Sequence, residues 1–215
     1  MKITNIEQQK KRKNRYNVFI DDEFAFGVDE DVIIKCSLKK DKEISDSFIE
    51  NIVKAEENSK AFNYSILLLA YRPRSISEIK TKMNQKGYEQ SSIDNAIKLL
   101  EKNGYLNDYA FGKSFIKDKQ EFKKAGKNLL KQELYKKGID RDVVDQLIEE
   151  TVNEDEEYER ALAVAQKKNN IFRASDDLNS KRRKLYGLLG RKGYSFDIIS
   201  KVINEVLKEN QEGCD

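Results

Sequence analysis

The chain has 215 residues, of which 37% are charged and 38% hydrophobic, and its formal net charge is +3 at pH 7. This composition disfavours one large compact core and favours charged helices that pack locally. Histidine is absent, which removes the most common general base and metal ligand. We expect no membrane span and no signal peptide. Cys36 and Cys214 lie far apart, which favours free thiols in a reducing cytosol.

Residues 1–57 are predicted to form a β-hairpin or small antiparallel sheet followed by short helices. The segments "KITNI", "YNVFI" and "FAFGV" are short β-favouring runs, and the basic "KKRKNR" is expected in the first connection. Asp29 is the predicted N-cap of a short helix in "DEDVIIKCSL". Helical spacing continues through "SDSFIENIVKAEENSK".

From residue 58 onward a single pattern occurs three times. The copies read "MNQKGYEQSSIDNAI", "LYKKGIDRDVVDQLI" and "LGRKGYSFDIISKVI", with their glycines at Gly87, Gly138 and Gly193. Apolar residues keep the same distances from the glycine in every copy. Glycine just past a helix end adopts the left-handed conformation that closes the helix. Each copy therefore predicts a helix, a tight turn and a second helix.

A further helix is predicted before each of these pairs, at 61–72, at roughly 107–121 and at 156–169. The predicted domains are repeat one at 58–106, repeat two at 107–153 and repeat three at 154–208, followed by a disordered tail at 209–215. Each unit is too small to bury much surface alone, whereas neighbouring units can cover each other. The predicted fold is mainly α, an elongated stack of three three-helix repeats with a small N-terminal β-sheet.

Polar residues mark several predicted helix starts. Ser75 and Glu78 form a predicted capping box after Pro73, and Ser91 is a predicted N-cap for the following helix. The acidic "NEDEEYE" is interpreted as a solvated helix start.

The motifs exclude the common catalytic sites. The sequence has no Walker motif, nucleophile elbow or metal-ligand cluster, and "GLLGRKG" has no strand before it, as a phosphate loop would require. We expect no enzyme activity, no cofactor and no metal.

Basic residues are the candidate contacts with a partner. They are Arg72, Arg74, Lys82, Lys86, Lys123, Lys124, Lys127, Lys131, Lys181, Arg182, Arg183 and Arg191. The lysines at 123–131 are placed on the second helix of repeat two, and "KRRK" at 181–184 in the same place in repeat three. Each cluster is either a solvated face or part of one basic surface that contacts phosphates or the acidic groove of a protein polymer. Base-specific reading is disfavoured because "RDVVDQLIEE", the helix after the turn, is acidic.

Three segments, "YRPRSISEIKTKMNQKGY", "LEKNGYLNDYAFGKSFI" and "KKAGKNLLKQELYKKGID", resemble the RecX family of regulators of the bacterial recombinase RecA. The N-terminal "YNVFIDDEFAFGVDEDVIIKCSL" is similar to the longer N-terminal segment of Gram-positive members. The resemblance implies a non-catalytic helical modulator that lies in the groove of the RecA–DNA filament. It also implies inhibition of strand exchange, ATP turnover and co-protease activity.

The expected partner is therefore the RecA filament, and direct contact with single- or double-stranded DNA stays open. We expect a cytoplasmic monomer. Two alternatives are a RecA-independent, non-specific DNA- or RNA-binding protein and an inert helical scaffold.

Overall fold

The computed structural model describes residues 1–173 and 176–212, with side chains described as far as residue 208. The chain forms two compact units. The first contains Met1–Arg74 and Glu78–Leu106, and the second contains Ser75–Ser77 and the chain from Asn107 onward. Cys214 lies outside the described residues, as does the end of the predicted tail at 209–215.

The first unit begins with a three-stranded antiparallel sheet of β1 (Ile3–Gln9), β2 (Arg12–Ile20) and β3 (Glu23–Asp29) in the order β1-β2-β3. Asp21 and Asp22 join β2 to β3 with φ angles of 47° and 72°. Positive φ at both central residues is characteristic of a type I′ hairpin turn. The basic run at 10–15 was expected in the first connection, and this was wrong for 12–15. These residues lie in β2, because a two-residue turn is enough to join β1 to β2.

Two helices, α1 (Glu30–Lys35) and α2 (Asp46–Tyr71), follow the sheet. Asp29 occupies the N-cap position of α1, but its side chain does not cap the helix and instead pairs with Arg15 at 2.9 Å. The sheet core consists of Ile3, Val18, Val28, Val32, Leu38, Ile44 and Ile52. α2 is one continuous helix of 26 residues that contains neither proline nor glycine. The boundary predicted between residues 57 and 58 therefore falls inside a helix.

Helices α3 (Ile76–Lys86) and α4 (Gln90–Lys102) complete the first three-helix segment. α4 begins with Glu89 at the N-cap position, so Ser91 lies in the first turn and the predicted Ser91 cap was wrong. The backbone N–H of Glu89 donates to Glu57 Oε1 of α2 at 3.2 Å. This contact fixes the extended residue before the helix, and the helix starts earlier than the serine.

The second unit contains six α-helices among its described residues. They are α5 (Asp108–Asp118), α6 (Lys127–Lys136), α7 (Arg141–Thr151), α8 (Glu154–Asn169), α9 (Leu178–Arg191) and α10 (Phe196–Glu212). A π-helical segment, Lys119–Lys123, extends α5. One core is built on Ile116, Leu130, Leu134, Val144, Leu147 and Ile148, and the other on Ala161, Ala165, Leu185, Leu189, Ile199, Val202, Ile203, Val206 and Leu207.

The three-fold sequence pattern corresponds to equivalent structure in all three copies. Met83, Leu134 and Leu189, which occupy the same column, are each 0% exposed. Gly87, Gly138 and Gly193 have φ angles of +87°, +72° and +84°. The predicted helix–turn–helix pairs are therefore confirmed.

Within the second unit, the turn between α9 and α10 packs against the link between α5 and α6. The N–H of Gly126 donates to Lys192 O at 2.8 Å, and the N–H of Asn128 donates to Gly193 O at 3.0 Å. A Cβ on Gly193 would lie 2.2 Å from Leu129 N, so this glycine allows close backbone approach as well as the turn.

Glu157 adds a contact to the same region. Residues 154–156 are exposed, as expected for a solvated helix start, but Glu157 is only 1% exposed. Its Oε1 atom accepts a hydrogen bond from the N–H of Lys127 at 2.6 Å. The start of the acidic run is therefore exposed to solvent, whereas Glu157 is buried and binds the backbone of Lys127.

Candidate binding surfaces

The two arginines of the α2–α3 connection make local contacts. Arg72 donates both terminal nitrogens to Glu78, at 3.1 and 3.0 Å, and this hydrogen bonding raises the pKa of Arg72. Arg74 Nε donates to Leu68 O at 3.1 Å, which serves a carbonyl in the last turn of α2. Both arginines therefore use part of their hydrogen-bonding capacity to stabilise the connection around Pro73.

Lys82 and Lys86 are exposed residues of α3. They are four residues apart, at the border of the helix face that buries Ile79 and Met83. Lys82 Nζ donates to Gln85 Oε1 at 3.1 Å. These two residues form a small exposed basic face.

The lysines of repeat two are separated by the fold. Sequence reasoning placed all four on one helix, but Lys123 ends the π-helical segment and Lys124 follows it with a φ of 51°. That placement was wrong because the chain leaves the helix at this point. Lys127 is the first residue of α6. Lys131 Nζ pairs with Asp145 at 2.6 Å, and this hydrogen bond raises the pKa of Lys131, so its charge is neutralised locally.

Lys123 and Lys124 form a cluster with Lys192 of the α9–α10 turn. Lys192 Nζ donates to Lys123 O, and burial together with the charges of Lys123 and Lys124 lowers the pKa of Lys192. Tyr194 Oη donates to Lys124 O at 2.8 Å and fixes the link from the other side. Beside these lysines, Phe122 is 73% exposed. The cluster concentrates positive charge next to an exposed aromatic ring.

The "KRRK" run divides around α9. Arg182 donates to Asn204 Oδ1 of α10 at 3.0 Å, so it lies on the α10 side. Lys181 is half-buried. Arg183 and Arg191 instead line a groove of about 390 Å³. The groove is lined by Lys168, Arg183, Lys184, Gly187, Leu188 and Arg191.

An aromatic ring lies beside this groove. The ammonium groups of Lys168 and Lys184 lie 5.5 and 5.4 Å from the centre of the Phe172 ring. Lys184 also lies 3.6 Å from Asp176. Arg183 and Arg191 form no hydrogen bond or ion pair within the described part of the chain, so their charges are available to a ligand.

The structure therefore brings only part of the predicted set together. Arg191 and Lys192 are consecutive residues, so the lysine cluster and the α8–α9 groove meet at the end of α9. We call this combined surface the α9 basic strip: Lys123, Lys124, Lys168, Arg183, Lys184, Arg191 and Lys192. Sequence reasoning included Lys184 in the basic run at 181–184, but it did not select Lys168 or Phe172. Lys192 was not among the individually selected contacts, although its position next to Arg191 indicated that it could belong to the same surface.

Acidic residues collect elsewhere on the second unit. A depression between α7 and α8 is lined by residues 149–156, five of which are Glu or Asp. Among the residues with described positions, no group of His, Cys, Asp or Glu side chains is arranged to hold a metal ion. No helix among all the described residues, in either unit, is long and apolar enough to cross a membrane.

Comparison with known proteins identifies the family. The Regulatory protein RecX N-terminal domain matches residues 1–45. The first, second and third RecX three-helix domains match residues 61–100, 107–148 and 154–203. The chain belongs to the RecX family. Its resemblance to that family and its predicted mainly α fold, with three three-helix segments and a small N-terminal sheet, are confirmed.

Curated relatives named Regulatory protein RecX match over nearly the whole chain. The protein of Clostridium beijerinckii is 34% identical over 96% of this chain and 96% of its own length. The protein of Bacillus subtilis is 35% identical over 98% of this chain and 79% of its own length.

Two solved RecX structures are also similar. A crystal structure of regulatory protein RecX has a TM-score of 0.81 and 27% identity, covering 94% of this chain and 98% of that one. RecX from Lactobacillus salivarius has a TM-score of 0.65 and 26% identity, covering 71% and 97%.

Proposed function

We propose that this protein binds RecA–DNA filaments in the cytoplasm and inhibits the recombinase, ATPase and co-protease activities of RecA without catalysis of its own. The observation that carries the proposal is the match to all four RecX domain segments in order along the chain. We also infer that the protein acts by occlusion, because a chain bound in the filament groove excludes other partners and added protomers.

The α9 basic strip is the proposed contact surface of the second unit. It offers Lys123, Lys124, Arg183 and Arg191 without an acidic partner among the described residues. A filament repeats the same acidic or phosphate groups along its length, so several weak contacts add through effective concentration. Ion-paired residues such as Lys131 are expected to contribute less, since an existing partner must be displaced.

The test is single-strand-DNA-dependent ATP hydrolysis by the cognate RecA, titrated with this protein. We expect inhibition well below one molecule per RecA protomer. The triple variant Lys123→Glu, Lys124→Glu and Arg183→Glu should lose it. The matched control is Lys10→Glu, Lys11→Glu and Lys13→Glu, which makes the same charge change on exposed residues of the first unit. No inhibition by the native protein in excess would contradict the proposal.

A second candidate is RecA-independent binding to nucleic acid. The α9 basic strip favours it, because unpaired lysines and arginines contact phosphates. Binding to a labelled single-stranded oligonucleotide without RecA, measured across salt concentrations, would fall steeply with salt. A protein that binds the oligonucleotide but leaves the ATPase unchanged would favour this second function.

A further inference from the structure

Strand β3 forms one edge of the N-terminal sheet. Within residues 1–173 and 176–212 it pairs with β2 and with no other strand. An edge strand presents backbone N–H and C=O groups that can pair with a strand from another chain. Two backbone groups near the end of β3 are already used, because Gly27 O accepts a hydrogen bond from Arg15 at 3.1 Å and Asp29 N–H donates to Glu56 at 2.8 Å. The rest of this edge is a template for a fourth strand.

A groove of about 320 Å³ lies between β3 and α2. It is lined by Phe26, Gly27, Val28, Ile52, Val53, Glu56, Glu57 and Lys60. Side chains of consecutive strand residues point to opposite faces of a sheet. Phe26 and Val28 therefore point to the same side of the sheet, and the groove reaches the backbone of β3 at Gly27 between them.

Gly27 supports this placement. A Cβ on Gly27 would point toward Gln9, Arg15 and Asn17, on the polar face of the sheet. Gly27 thus contributes its backbone to the groove.

The wall of the groove formed by α2 combines apolar and charged side chains: Ile52, Val53, Glu56, Glu57 and Lys60. Val53 is 55% exposed there, beside the buried Ile52. The one deeply placed charge, Glu56, lies 2.9 Å from Arg15 and 3.2 Å from Lys60, and it accepts a hydrogen bond from Asp29 N at 2.8 Å. Because Glu56 is already compensated, an apolar side chain can enter the groove without leaving a charge unpaired.

Both ends of β3 carry exposed acids. Asp22 and Glu23 precede or begin the strand, and Glu30 and Asp31 follow it. None of the four forms an ion pair within the described part of the chain. A strand added to this edge meets negative charge at both ends, so lysine or arginine there would be favourable.

We propose that the β3–α2 groove binds an extended segment of a partner protein as a fourth strand. The segment places an aliphatic side chain in the groove and carries basic residues at both ends. Peptides that add to a sheet edge gain affinity from main-chain hydrogen bonds and specificity from side-chain pockets. The acidic flanks argue against a second copy of this chain, since antiparallel pairing of two β3 edges would bring acids together. They argue against nucleic acid for the same reason.

The test uses the full-length protein and fluorescence anisotropy with three labelled heptapeptides. The first has two lysines at each end and two valines at alternate central positions. The second replaces the lysines with glutamate, and the third replaces the valines with serine. We expect only the first to bind. It should also slow amide hydrogen exchange at residues 24–28.

Two variants separate groove binding from general charge effects. Val53→Arg fills the groove, whereas Leu67→Arg makes the same charge change on α2 at a side chain that is 69% exposed and does not line the groove. We expect Val53→Arg to weaken peptide binding by about tenfold or more, as loss of a central anchor does. Leu67→Arg should leave binding unchanged.

Four results would overturn the proposal. They are no binding of the first peptide, equal binding of all three peptides, equal weakening by both variants, and dimerisation of the protein through β3. None of these measurements involves RecA, so their outcome is independent of the ATPase test.

Discussion

The carboxylate of Glu157 accepts a hydrogen bond at 2.6 Å from the backbone N–H of Lys127, the first residue of α6. The first N–H groups of a helix have no partner within the helix, and negative charge is favourable there. Glu157 belongs to α8, so a side chain of repeat three caps a helix of repeat two. Also within the second unit, the N–H of Ile76 donates to Asp108 Oδ1 at 2.8 Å, and Ile76 is the first residue of α3. An acid from the following helical segment thus serves a helix start in both places.

Replacement of Glu157 by alanine should destabilise the second unit. The change leaves the half-buried N–H of Lys127 without its partner, and we expect a loss of about 1–3 kcal/mol in the free energy of unfolding. Urea denaturation followed by circular dichroism measures it. Glu159→Ala is the control, since Glu159 lies on the same helix and is exposed. Equal midpoints for the two variants would contradict the capping role.

Two glycines near the end of α9 should respond to alanine in opposite directions. Gly193→Ala places a Cβ against Leu129 and forces alanine into a positive φ, so we expect a loss of about 2–4 kcal/mol. Gly190 lies inside the helix, with nothing within 4 Å of an added Cβ. Gly190→Ala should therefore stabilise by about 0.5–1 kcal/mol, because alanine loses less entropy in a helix. Thermal unfolding of both variants tests the pair, and a stable Gly193→Ala protein would contradict it.

Tyr194 should make stability depend on alkaline pH. Burial raises the pKa of Tyr194 to about 12, above the ordinary value of 10.0. Between these values the folded protein keeps a proton that the unfolded chain loses. Stability from this group is therefore complete below pH 10 and falls as the pH rises toward 12.

The loss is at most about 2–3 kcal/mol from this difference in pKa. Urea midpoints at pH 9 and pH 11 should differ more for the native protein than for Tyr194→Phe. The comparison between the two proteins removes the effect of lysine titration. An identical pH dependence would show that the phenol does not contribute.

Arg182 and Arg183 are neighbours that should differ in function. Arg182 is hydrogen-bonded to Asn204, whereas Arg183 lines the groove between α8 and α9. If the α9 basic strip contacts the filament, Arg183→Gln should raise the concentration needed to inhibit the RecA ATPase several-fold. Arg182→Gln should change it little. The reverse order would place the contact on the α10 side of the helix.

Much of the helical fold could be predicted because its signals are local. The apolar columns and the glycines that follow the helices depend on the 3.6-residue period and on positive φ, and both are visible in a short window of sequence. The same reasoning failed at Ser91, where the helix start is set by a contact between Glu89 and Glu57 of another helix.

The candidate surface was less predictable, because its members come from separate segments. Lys131 and Arg183 are both basic residues within basic stretches of the sequence. Lys131 pairs with Asp145, whereas Arg183 has no acidic partner among the described residues. Phe172 and Lys168 join the surface only through the packing of α8 against α9. The π-helical segment also left no periodic signal, although it determines where Lys123 and Lys124 lie.

The length of α2 has a consequence for chimeras between relatives. At about 1.5 Å per residue its 26 residues span about 39 Å. One end packs against the sheet through Ile52, while further along Tyr64 contacts Tyr88 with ring centres 5.7 Å apart. A chimera with its junction inside α2 would combine the sheet contacts of one relative with the Tyr88 contact of another. Exchange of the N-terminal module therefore requires junctions outside Asp46–Tyr71, and the donor must supply the whole helix together with the residues that contact it.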